Sequence, residues 1–194
     1  MAINRVSQSS IQQAFPKFNT AWDGVSAVGG MDPLGVSFLS ANAGAIVFSS
    51  IPATYTHLQV RGIIRGNRSG ALDEMGIRFN GGSANITYHN FHGNGSAVTT
   101  AGATATGWSW FAPIASASET AGVFSSIVID ILDYSNTNKY KVFRALTGYD
   151  NVSSGRVYSA SGMQLDTAAI NNITIIPSNT TFAANTSFAL YGIK

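Results

Sequence analysis

Cysteine is absent from this chain of 194 residues. Disulfide bonds and thiolate metal sites are therefore excluded, although the compartment in which the protein works stays open. Charge is also scarce, because Asp, Glu, Lys and Arg together make up 10% of the residues, and the formal net charge is +2. A positive charge this small does not predict nucleic-acid binding.

Long apolar runs are missing as well. No stretch of 18 consecutive apolar residues occurs, so the sequence predicts no membrane-spanning helix and no membrane partner. The N-terminal stretch MAINRVSQSSIQQAF lacks the apolar centre of a secretory signal. If the protein works outside a cell, we expect that the ordinary signal route does not export it, and release by lysis within an assembled particle would meet that condition.

Ser, Thr, Asn and Gly replace the missing charges, and these residues suit strands and turns. Ten to eleven short runs of apolar or alternating residues predict strands, and no run predicts a helix of ten residues. This pattern is typical of an all-β sandwich or barrel. Val123–Asp133 is the most continuously apolar run, so we expect it near the centre of a sheet. Gly93–Gly107 is of low complexity and predicts a long surface loop.

The stretch His57–Arg65 alternates in polarity and predicts a strand with one buried face and one basic face. Ile63 falls on the polar side and interrupts the pattern. Two interpretations of the basic face stay open. It is either a solubilised sheet surface, or a surface on which arginines meet another subunit or an acidic partner.

The first thirty residues differ from the rest. Pro16 ends any early helix, and Phe15, Phe18 and Trp22 follow no clean period. Exposed aromatic side chains tend to be buried against a partner surface. We therefore interpret residues 1–30 as an N-terminal attachment arm and residues 31–194 as the sandwich domain. The alternative is a first strand and loop of the same domain.

No constellation of residues predicts catalysis. A glycosidase needs two carboxylates that face one cleft, but Asp130 and Asp133 would point to opposite sides of one predicted strand. The pair Asp73–Glu74 lies beside a turn, as is typical of a solvated corner. His89 and His92 would face opposite sides of a strand, which argues against a shared metal ion. We therefore predict no enzyme activity, no catalytic residue, no metal site and no cofactor.

A carbohydrate platform is a second hypothesis. Trp108 and Trp110 fall on one side of a short aromatic strand, and with Tyr88, His89 and Asn90 they could form a platform on which a sugar ring stacks. The alternative is that both tryptophans pack inside the sandwich or at a subunit interface, as large aromatic residues commonly do.

Four motifs carry a family resemblance: SIPATYTHLQVRGIIRG, MGIRFNG, IVIDILDYSNTNKYK and the terminal SFALYGIK. Together they resemble small structural proteins of tailed bacteriophages, over residues from about Val36 to Lys194. The resemblance implies a jelly-roll-like antiparallel β-sandwich, often displayed as a trimer, and it brings no catalytic motif. Such domains occur as capsid decorations, fibre tips and tail-associated proteins. The absence of a long shaft in this chain favours a compact decoration or cement subunit.

We therefore predict a virion structural protein, assembled in the host cytoplasm, that decorates or cements the capsid surface by oligomeric adhesion. Its partners would be two further copies in a homotrimer and the major capsid protein or another virion protein. Neutral and apolar outer residues such as Ile63, Phe91 and Val98 would supply most of the affinity. The arginines expected to contact a neighbouring subunit are Arg61, Arg65, Arg78 and Arg144. The alternative is a tail- or fibre-associated module that binds a host-surface glycan.

Overall fold

A computed structural model describes residues 30–82, 86–105, 109–151 and 154–194 of the protein. For residues 105 and 109–111 it describes the backbone alone. The regular elements within these ranges are strands. The predicted arm thus lies outside the described residues apart from Gly30. Within the described ranges no helix is long and apolar enough to cross a bilayer. The strands are β1 (Met31–Phe38), β2 (Ile46–Phe48), β3 (His57–Ile64), β4 (Leu72–Phe79), β5 (Ile86–Gly93), β6 (Val98–Ala105), β7 (Ser109–Ala115), β8 (Ser125–Leu132), β9 (Lys141–Asn151), β10 (Ser154–Gln164), β11 (Ile173–Pro177) and β12 (Ser187–Ile193).

The strands form two antiparallel sheets that pack as a sandwich. The large sheet has eight strands in the order β1-β12-β3-β8-β9-β10-β5-β6, and the small sheet has four in the order β2-β11-β4-β7. The chain passes back and forth between the sheets, since β2, β4, β7 and β11 belong to the small sheet and the strands between them to the large one. This alternation is the connectivity of a jelly-roll-like sandwich, so the predicted fold class is confirmed.

Alternating side chains build the core between the sheets. In β8, Ile127, Ile129 and Ile131 are buried, whereas Val128 and Leu132 point away from the small sheet and are exposed. The opposing layer comes from the small sheet, with Met75, Ile77, Phe79, Ile173 and Ile175 among its buried residues. β8 is fourth of the eight strands, which confirms the central position predicted for this apolar run.

The prediction of a surface loop over Gly93–Gly107 is wrong. Residues Val98–Ala105 form β6, which pairs with β5 along its whole length, from Gly93↔Val98 to Ile86↔Ala105. β6 is an edge strand, and its described side chains are exposed on both faces. Because no face of β6 contacts the core, its sequence lacks the alternation of apolar residues, and only Val98 and its threonines favour a strand.

Two glycines in the large sheet make room for aromatic rings. Gly62 lies directly opposite Phe188, and a Cβ atom at Gly62 would come within 2.7 Å of the ring. Gly162 lies opposite Phe143 in the same way, and a Cβ atom there would overlap the ring. Both rings are almost fully buried. Each ring therefore lies across the neighbouring strand, where any larger residue would displace it.

The two ends of the described chain meet at one edge of the large sheet. β12 lies between β1 and β3, and Met31 is paired with Ile193. The Lys194 ammonium is 3.6 Å from the Asp32 carboxylate. This edge of the sheet is thus assembled from the beginning and the end of the described sequence.

Candidate functional site

The most unusual surface is the outer face, which we define as the side of the large sheet that points away from the small sheet. Thirteen large hydrophobic side chains are exposed in the described part of the chain, and ten of them lie on this face. Val36 and Val98, at opposite edges, are each 73% exposed, and Leu146 near the middle is 57% exposed. The ten are Val36, Phe38, Ile63, Phe91, Val98, Val128, Leu132, Val142, Leu146 and Val157.

The register of the sheet arranges these side chains in rows across the strands. Residues directly opposite each other on neighbouring strands point to the same side of the sheet. One row begins at Phe38 on β1 and passes through Ile63, Val157 and Val98 on strands further along. The next contains Val36, Val128, Leu146 and Phe91. A monomer that exposes apolar side chains over the width of a sheet has the surface of an interaction site.

A polar row crosses the same face beside these apolar rows. Gln59 of β3, Asp130 of β8 and Arg144 of β9 lie directly opposite one another. The Gln59 side-chain amide donates to Asp130 Oδ1 at 2.7 Å, and Arg144 Nε donates to Asp130 Oδ2 at 3.0 Å. The Arg144 side chain is 71% exposed, so this ion pair adds only about 0–1 kcal/mol to stability. Its effect is to hold one negative and one positive group side by side at the centre of the face.

Arg61 lies opposite Val128 in the neighbouring apolar row and is hydrogen-bonded to the β3 end of the polar row. Its Nε donates to the Gln59 side-chain oxygen at 2.6 Å, and its guanidinium lies 5.4 Å from the centre of the Tyr191 ring. Ile63, the residue that interrupted the predicted pattern, is exposed on this same face. The basic face predicted for His57–Arg65 is therefore only partly basic, because apolar and polar side chains are interleaved on it.

A shallow depression of about 840 Å³ lies over β9, β10, β5 and β6. His89, Phe91 and Arg144 line it together with Ser159 and Ser161. His89 lies across Gly102 of the edge strand, with Nε2 2.8 Å from the position of a Cβ atom there. With Thr100, which also lines it, the depression combines an aromatic ring, an imidazole, a guanidinium and three hydroxyl groups.

The four arginines predicted to contact a neighbour do not share one surface. Arg61 and Arg144 lie on the outer face, whereas Arg78 is on the outward side of the small sheet, opposite Thr174. Arg65 follows β3 and binds a loop of its own chain. Its guanidinium donates to four backbone carbonyls, those of Ala117, Glu119, Thr120 and Val123, at 2.7–3.4 Å.

The arm and platform residues fall mostly outside the described residues. Phe15, Phe18, Trp22 and Trp108 lie there, and so does the side chain of Trp110. Tyr88 is half-buried and packs against the core, and burial, followed by the nearby charge of Glu74, raises the pKa of its phenol. Tyr88 and His89 are consecutive in β5, so Tyr88 points away from the depression on the outer face.

The interpretation of Asp73 as part of a solvated corner is wrong. Asp73 is fully buried, and its Oδ1 accepts hydrogen bonds from the Ser178 hydroxyl at 2.9 Å and the Asn179 amide at 3.2 Å. The carboxylate thereby holds the loop between β11 and β12. Burial and the adjacent Asp73 charge raise the pKa of Glu74. In sequence, only the apolar residues that follow this pair could have indicated its position at the start of β4.

The histidines of the described ranges do not form a metal site with the nearby carboxylates. Across the described ranges no three His, Asp or Glu side chains come together as ligands for an ion. His92 stacks on Tyr158 with ring centres 4.4 Å apart, on the side of β5 opposite to His89.

Scans against protein-family models, curated proteins and solved structures found no match to this chain.

Proposed function

We propose that this protein is a structural subunit of a tailed-phage virion that decorates or cements the capsid by oligomeric adhesion. The observation that carries the proposal is the outer face, on which ten large apolar side chains are exposed in register. The motif resemblance supports this class of particle, and the exposed apolar face supports adhesion as its role. Burying apolar area drives such contacts with little help from charge.

The adhesion has two components in this proposal. The arm, residues 1–30, binds the major capsid protein or another virion protein. The outer face packs against a further subunit. Apolar burial supplies most of the affinity of a face with so few charges, so attachment persists at high salt. The homotrimer predicted from the resemblance stays a prediction for the assembled particle.

Purified parent particles provide the test. Mass spectrometry should detect the protein in them at a fixed copy number, and particles assembled without it should release their genome at a lower temperature. Restoring the purified protein should recover the heat resistance, also at high salt. Absence of the protein from purified particles would overturn the proposal.

A tail- or fibre-associated glycan-binding module is the second candidate. The depression on the outer face favours it, because Phe91 offers a ring for stacking while His89 and Arg144 offer hydrogen-bond donors. A glycan array with the wild-type protein and a His89→Ala variant tests it. Binding that is lost in the variant supports this function, and an array without signal excludes it.

A further inference from the structure

We infer that two copies of this chain pair through their outer faces, about a two-fold axis that runs parallel to the strands between β8 and β9. The inference deepens the proposed function and rests on its adhesion through this face. β8 and β9 are the fourth and fifth of eight strands, so the boundary between them divides the large sheet into halves of four. A two-fold axis on that boundary places β8 of one copy opposite β9 of the other.

Two charges beside the axis are complementary under this operation, whereas Arg61 comes opposite Ser159. Asp130 of β8 and Arg144 of β9 lie in the same row, one on each side of the axis. The axis therefore places Asp130 of one copy opposite Arg144 of the other, and the reverse pair forms by symmetry. A two-fold interface requires a surface that complements itself, and these two residues meet that requirement.

The apolar rows are complementary under the same operation. Ile63 of β3 comes opposite Val157 of β10, and Val128 of β8 opposite Leu146 of β9. At the edges, Phe38 of β1 comes opposite Val98 of β6. Under this operation the small residues of the first row come opposite one another, so its large side chains meet in pairs across the interface. The small residues are Ser126, Gly148, Ser187 and Gly93.

The size of the face fits a stable pair. Eight strands span about 34 Å across, and eight residues extend for about 24 Å along a strand. The face therefore covers roughly 800 Å², which is about the area that each partner buries in a stable interface of standard size. Other occupants, namely the chain's own arm, a third copy or a different virion protein, are distinguished by the experiment.

Light scattering or sedimentation of the full-length protein at several concentrations is the first measurement. The expected mass is twice the chain mass of 20.3 kDa. A monomer at high concentration would overturn the inference, because the arm or another protein would then cover the face. A trimer would overturn it as well, while leaving the proposed function in place, since that function is tested on the particles.

Charge reversal gives the decisive test. Asp130→Arg and Arg144→Asp each place like charges opposite one another across the axis, so each variant alone should dissociate at least about 100-fold more readily. An equimolar mixture should recover pairing, because each face of one variant then meets the opposite charge on the other. Each variant still carries two like charges on its own face. If Asp130 and Arg144 interacted only within one chain, mixing the two variants would not restore pairing. A mixture that stays monomeric therefore overturns the inference.

A matched pair of apolar substitutions serves if a charge variant fails to fold. Leu146→Glu alters a residue on the outer face, and Val47→Glu alters one on the outward side of the small sheet. The two side chains are similarly exposed, at 57% and 54%. Leu146→Glu should weaken pairing at least about 100-fold, since the axis doubles every contact, and Val47→Glu should leave it unchanged. Equal effects of the two substitutions would overturn the inference.

Discussion

Replacing Gly162 by alanine should destabilise the fold, because a Cβ atom there has no space. It would lie 2.6 Å from Cε1 of Phe143, closer than Cβ atoms approach other atoms in proteins. The Phe143 ring is 2% exposed and contacts Phe79 edge-to-face, with ring centres 6.0 Å apart, so it can move only by displacing the core. Overpacking of this kind costs about 1–3 kcal/mol, and the entropy gained on replacing glycine returns about 0.5–1 kcal/mol.

The middle of each range leaves a net loss of about 1 kcal/mol, which should lower the Tm by roughly 2–4 °C for a chain of this size. Gly102→Ala is the matched control. A Cβ atom there also meets a ring, that of His89, but this side chain is exposed and can rotate into solvent. Thermal and urea unfolding of both variants, with Gly162→Ala/Phe143→Leu to measure the coupling, gives the comparison. Equal stability of Gly162→Ala and Gly102→Ala would refute the reasoning.

Three further predictions concern the arm, alkaline pH and Arg65. Deleting residues 1–30 should leave a folded sandwich, by circular dichroism, that no longer binds particles; an unfolded product would show that these residues belong to the core. Burial raises the pKa of Tyr134 above its ordinary 10.0, and its hydroxyl donates to the Pro52 carbonyl. The folded state then binds more protons than the unfolded state above about pH 10, so stability should fall as the pH rises, and less steeply in Tyr134→Phe. Arg65→Lys should lose the forked hydrogen bonds to the loop at residues 117–123, lower stability by about 1–3 kcal/mol and speed proteolysis there; unchanged cleavage would contradict the assigned contact.

Local patterns in the sequence predict most of the fold. The alternation in His57–Arg65 and in β8 reports which side chains contact the core, since burial acts on every second residue. β6 was missed because neither of its faces is buried, so its sequence carries no such record. Asp73 was missed because the partners that make its burial tolerable, Ser178 and Asn179, lie more than a hundred residues away in the chain.

The outer face could be predicted only in part. Ile63, Phe91 and Val98 were expected to be exposed on an outer sheet surface, and their exposure is confirmed. Their arrangement in rows depends on the register between strands distant in sequence, as between β3 and β8. No local pattern specifies that register. For the same reason, the sequence could not indicate that Arg61 and Arg144 share a surface whereas Arg65 and Arg78 do not.

The position of β12 between β1 and β3 has a consequence for biosynthesis. β1 and β3 emerge from the ribosome early, but the strand that joins them is made after every other strand of the described chain. The large sheet cannot be completed until residues 187–193 are outside the exit tunnel, so its folding waits for this strand and is slowed by the long-range pairing. Until then the unpaired edges of β1 and β3 are open to other nascent chains, so a high rate of synthesis favours aggregation.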